Sequence, residues 1–244
     1  MKTLDNIVNE AYNVFSGNKP GEYLDACTHC CMKESNAELL KSIPLRQIPI
    51  ELLKEYQDAA KPVKLNLSEL KYFAPKYLEF LSKQEYLSYE PLLSLDRFGY
   101  FDREGWTKEE RQLLDDFSIL FFREYLNTKN HENFTTPIEI LLMFYKGKFD
   151  IQPLLDEWEK CTSTESLLHF NQLLDEINFN QHREPKVRNA FSDETFSELI
   201  CSWLFARKIK EKFKNQIEQT LLEPGESLSE SDKENLSRKY EIII

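Results

Sequence analysis

The stretch CTHCC, residues 27–31, places Cys27, His29, Cys30 and Cys31 within five positions. Thiolate and imidazole are the ligands that zinc and softer metals select. A C-x-x-C pair can also run thiol–disulfide exchange. Which chemistry is open depends on the backbone. On a helix over 21–32, Cys27, Cys30 and Cys31 stand at i, i+3 and i+4 on one face, with Tyr23 and Leu24 a turn earlier. His29 then projects away, roughly 160° from Cys27. That geometry predicts three cysteines acting as small hydrophobes against a neighbouring helix, with Cys30→Ser costing about 1–3 kcal/mol. A structural zinc site takes four ligands, usually as two pairs. The sequence supplies one pair, Cys27 with Cys30, and neither a second C-x-x-C nor H-x-x-x-H. Cys161, Cys201, His131, His169 and His182 are isolated and would have to converge through the fold. A redox centre of the thioredoxin type needs a helix N-terminus following a strand, and the pattern shows no such unit. The expectation is therefore no cofactor, with a metal at Cys27 and Cys30 as the alternative.

Other chemical constellations are weaker. His131-Glu132 lacks the second histidine of H-E-x-x-H and reads as a polar loop before Thr136. His182 sits beside Arg183 and Glu184 in a turn preceding Pro185. KGKFD lacks the length and terminal hydroxyl of a phosphate-binding loop, and G-x-S-x-G is absent. No catalytic set emerges, and the reading is a non-enzyme. Acidic residues do cluster: Asp156, Glu157 and Glu159 around Trp158; Asp115 with Asp116; Asp175 with Glu176; Asp193, Glu194 and Glu198. Such runs are ordinarily the solvated face of a helix. The alternative is a focused patch for a basic partner. Asp156, Glu157 and Glu159 are the candidate partner-binding residues, with Trp158 assigned to the core.

The formal charge of −11 excludes a broad basic surface for nucleic acid and would attract a basic partner over long range. No apolar run reaches the 18 residues that would suggest a membrane span, and residues 1–15 lack the uninterrupted apolar stretch of a signal peptide. Five cysteines, an odd number, argue against a closed disulfide framework and for a reducing cytoplasm.

The elements that must position these residues are helices. With only six glycines in 244 residues, tight hairpins are scarce. Hydroxyl–carboxylate pairs three apart recur at Ser35/Glu38, Thr107/Glu110, Thr136/Glu139, Thr162/Glu165 and Ser231/Glu234, each able to form a capping box. Phe196, Leu199, Ile200, Trp203 and Leu204 follow the spacing of a buried stripe, continued by Phe213, Ile217 and Leu221, and Ser192 can cap this helix. The spacing predicts helices over 3–16, 21–32, 35–42, 49–61, 68–88, 107–127, 136–146, 150–160, 163–178, 192–222 and 231–239, with a break or kink at Pro75. Only KYEIII at the end of the sequence reads as a possible strand. The fold class is all-α, a multi-helix bundle or irregular array of about ten helices. It forms a single helical domain over 1–244, with a possible subdivision near 94–106.

The segments YLDACTHCCMKESNAELLKSIPLRQIPIELLKEYQDAA and ELKYFAPKYLEFLS, roughly residues 20–100, carry a cysteine-rich helix, a PLR turn at Pro44, Leu45 and Arg46, and Tyr72, Phe73, Pro75, Leu78 and Glu79 on a further helix. In these features the chain resembles a bacterial helical family similar to immunity proteins of contact-dependent growth-inhibition toxin systems. The resemblance implies a cytoplasmic protein that neutralises a cognate toxin by binding. Nuclease toxins are often basic, so a basic nuclease domain is the expected partner. A metal-dependent helical enzyme using Cys27 and Cys30 and a helical scaffold for an endogenous partner are the alternatives.

Overall fold

The structure, a computed structural model, describes residues 2–128, 135–179, 181–222 and 228–243. His131 and Glu132 lie outside them. Among the described residues, eleven α-helices carry the fold and strands are confined to one short hairpin. The chain is an all-α multi-helix array. It divides into two compact units, residues 1–121 with 143–150, and residues 122–142 with 151–244.

In the first unit, α1 (Leu4–Val14) packs along α4 (Leu67–Ser82), and α2 (Glu34–Ser42) against α3 (Ile50–Asp58). α1 starts in a capping box between Thr3 and Asn6 and buries Leu4, Ile7, Val8 and Ala11, the stripe an amphipathic helix needs. α4 is buried on nearly every side, through Leu70, Phe73, Ala74, Tyr77, Leu78 and Leu81. It runs unbroken through Pro75, where the sequence predicts a break or kink. Packing around α4 offsets the roughly 3 kcal/mol that an interior proline costs. Residues 94–106 form a packed loop inside this unit. Phe98 stacks on Trp106 at 5.7 Å and meets the edge of Tyr77 at 5.5 Å. A side chain at Gly99 would place its Cβ 2.0 Å from the Lys146 carbonyl oxygen, so glycine is required there. The division of the chain falls after residues 121, 142 and 150, within α5 (Lys108–Leu126), within α6 (Pro137–Lys146) and ahead of α7 (Gln152–Lys160), and not at 94–106.

The second unit is built from α7, α8 (Thr164–Asp175), α9 (Glu194–Leu204), α10 (Arg207–Leu222) and α11 (Glu230–Ile243). Trp158 is fully buried at its centre, with ring centroids of Trp203 at 5.4 Å, Phe122 at 5.7 Å, Phe170 at 6.3 Å and Phe213 at 6.4 Å. Trp203 is buried as its stripe predicts. A hairpin of β1 (Ile177–Phe179) and β2 (Pro185–Val187) packs β2 on α9, where Ser197 Oγ accepts from the Val187 amide at 3.0 Å.

Several local expectations are corrected. The helix over 21–32 does not form. The helix over 192–222 divides at Phe205 and Ala206, and Asp193, not Ser192, caps its first part by accepting from the Phe196 amide at 2.8 Å. KYEIII continues α11 to Ile243. Capping boxes form at Thr107/Glu110 and Thr136/Glu139. α2 starts after Lys33 without a side-chain cap, and Ser163 and Ser229 take the roles assigned to Thr162 and Ser231. Among the described residues no helix is long and apolar enough to cross a membrane.

One half-buried carboxylate gives the fold a pH signature. Burial pushes Glu176 up from 4.5 to about 7, and its Oε1 atom has no hydrogen-bond partner. Between those two values the folded chain binds more protons than the unfolded chain, so stability falls as pH rises through this window and then levels off. We expect Glu176→Gln to remove that slope, read as urea midpoints measured from pH 4.5 to 8. Parallel curves for the two proteins would contradict this assignment.

Candidate functional site: a pinned thiol loop and two acidic faces

In place of the expected helix, residues 21–32 form a loop of tight turns. Its anchors are buried polar groups of the first unit. Glu69, fully buried on α4, accepts from the Asp25 amide at 2.7 Å and from the Tyr56 hydroxyl at 2.8 Å. Arg97, also buried, donates to the Asp25 carbonyl at 2.7 Å, to the Ala59 carbonyl at 3.3 Å and to the Tyr56 carbonyl, and lies 3.9 Å over the Tyr56 ring. The Asp25 carboxylate accepts from the Asn66 amide. These bonds explain why a helix loses here. Its residues are tied to three other segments, and Leu24, Asp25 and Ala26 are drawn inward together where a helix would bury one stripe. Burial raises the pKa of Glu69 while the Asp25 amide and the Tyr56 hydroxyl pull it back.

The thiols stand on the rim of this anchor. The Cys27 amide donates to the Ala60 carbonyl at 2.8 Å, the Met32 amide closes the loop onto the Cys27 carbonyl at 3.0 Å, and Met32 is buried. Beyond it, Glu55 accepts from the Lys33 amide at 2.8 Å and from the Asn36 side chain at 2.7 Å. Between these fixed ends CTHCC bows outward. Cys30 and Cys31 are exposed and Cys27 is partly so, which overturns the expectation of three cysteines packed as small hydrophobes. The expected stability cost of Cys30→Ser goes with it. Cys30 Sγ lies 3.4 Å from both Cys27 Sγ and Cys31 Sγ, and all three sulfurs fall within 4.8 Å of one another. Hydrogen bonds from the Cys30 amide and thiol lower Cys27 to about 7, while its two thiol neighbours raise Cys30 to about 11. His29 is exposed and stands outside this cluster.

The other isolated candidates do not join it. Cys201 is buried in α9. Cys161 contacts Ser163 Oγ at 3.3 Å in the second unit. His169 is a core residue, stacked 4.4 Å from Tyr125 and bonded to the Thr128 carbonyl at 3.1 Å, and burial lowers its pKa. His182 is exposed beside the hairpin.

The acidic clusters differ in how free they are. On α7, Glu157 pairs with Arg123 at 2.5 Å and Lys160 at 3.8 Å, Glu159 pairs with Lys208 at 2.7 Å, and Asp156 accepts from Gln152 at 2.8 Å. This face is largely neutralised locally. At the start of α9 the arrangement is different. Phe191 is 39% exposed just ahead of the Asp193 cap, and Glu194 and Glu198, one helical turn apart, are exposed without an ion pair among the described residues. In comparisons with known proteins, no family model, curated protein or solved structure matches this chain.

Proposed function

We propose that this chain is an immunity protein, a binding protein that neutralises a basic toxin domain, most naturally a nuclease, by covering its active cleft. The observation that carries the reading is the α9 face: an exposed aromatic, Phe191, beside the unpaired carboxylates Glu194 and Glu198. An interface needs an anchor that binding desolvates and a rim that steers, and the exposed Phe191 with Glu194 and Glu198 supports that reading. The net charge of −11 adds long-range attraction for a basic partner. The resemblance of residues 20–100 to the immunity-like family points the same way. The α7 face fits the role less well, because Arg123, Lys160 and Lys208 already meet its acids.

Reversing two charges with Glu194→Lys and Glu198→Lys should slow association with a cognate basic toxin domain by about tenfold or more at low salt, and much less at high salt. Dissociation should change less. The same reversal at Asp156 and Glu159 should have the smaller effect. Stopped-flow association measured across salt concentrations separates the faces, and equal rates for the α9 variant and the parent would contradict the placement.

A further inference from the structure

We infer that Cys27, Cys30 and Cys31 form a three-thiolate binding site for a zinc-type cation, with the fourth coordination position left open. This does not rest on the toxin-binding reading. The sequence spacing suggests a single pair, Cys27 with Cys30, because only one C-x-x-C is present. The loop changes the geometry. Three ligands around a tetrahedral ion at about 2.3 Å stand roughly 3.8 Å apart. The observed separations of 3.4 Å, 3.4 Å and no more than 4.8 Å bracket that spacing. Converging the sulfurs on an ion then needs shifts of a few tenths of an ångström in exposed side chains.

The second observation is that the loop is built to hold this shape. Both of its ends are fixed by buried partners, Asp25 with Glu69 and Arg97 on one side and Met32 with the Cys27 carbonyl on the other. A preformed ring of donors loses little entropy on binding an ion. Thiolates are the ligand type that zinc prefers over the calcium and magnesium that carboxylates take. On binding, three S–H protons pass to solvent as three Zn–S bonds form. The site then carries a net charge of −1, and water or a partner's side chain takes the fourth position. Three ligands and an exposed rim are the pattern of sites that act on, or are completed by, something else, whereas structural zinc sites are closed by four.

The test uses the full chain, reduced and stripped of metal, titrated with Zn2+ and with Co2+ as the spectroscopic probe. We expect one ion per chain and a thiolate-to-cobalt charge-transfer band. Cys30→Ser should weaken binding by at least a hundredfold while leaving the thermal midpoint of the metal-free protein unchanged. Cys201→Ser should leave binding as it was. His29→Ala should also leave it unchanged, and loss of binding there would place the fourth ligand inside the loop and overturn the open position. Absence of stoichiometric uptake by the reduced, metal-free chain would overturn the site.

Discussion

Replacing Arg97 with alanine is expected to destabilise the protein by about 3–5 kcal/mol, because buried carbonyls lose a charged hydrogen-bond donor worth about 1.5–3 kcal/mol per bond. Arg97 is 2% exposed and its guanidinium serves the carbonyls of Asp25 in the thiol loop and of Tyr56 and Ala59 at the end of α3. Without it the Tyr56 ring also loses the cation that covers it. The effect should also be local. The Cys27 amide, bonded to the Ala60 carbonyl, should exchange with solvent far faster in the variant, and the thiols should react faster with a small alkylating agent. A variant whose unfolding midpoint and Cys27 amide exchange both match the parent would show that Arg97 does not pin the loop.

Trp158→Ala should cost about 3–5 kcal/mol, for a different reason. Its side chain is fully enclosed by Trp203, Phe122, Phe170 and Phe213, and its indole nitrogen donates to the Ser166 carbonyl at 3.3 Å. Truncation leaves a cavity that four rigid rings cannot close, since Phe170 and Phe213 are already stacked on each other at 3.6 Å. Trp158→Phe should recover a large part of the loss by refilling most of that volume. Urea unfolding of the three proteins measures this directly. A loss near 1 kcal/mol in the alanine variant would mean that the core relaxes around the site.

The legible part of this chain was its helical periodicity. Stripes such as Phe196, Ile200, Trp203 and Leu204 placed α9, and the Thr107/Glu110 and Thr136/Glu139 boxes set the starts of α5 and α6. Trp158 was assigned to the core, and in the structure Leu154 and Leu155 share its buried face. What failed was local pattern under tertiary control. Residues 21–32 have helical spacing, yet Glu69 and Arg97, more than forty positions away, bind their backbone and forbid the helix. Glu69 sits in a sequence that looks like any amphipathic turn, so nothing marked it as an anchor. The acids of α7 looked free because Arg123 and Lys208, which neutralise them, are distant in sequence. The hairpin at 177–187 was missed because each strand has only three residues, too few for alternation to register.

The most direct test of the binding proposal is growth. Cells expressing a candidate toxin, the product of the gene upstream of this one, should stop dividing. Co-expression of the full chain should restore growth, and co-expression of the Glu194→Lys, Glu198→Lys variant at equal abundance should restore it poorly. Unchanged toxicity with the folded parent chain present would contradict the account.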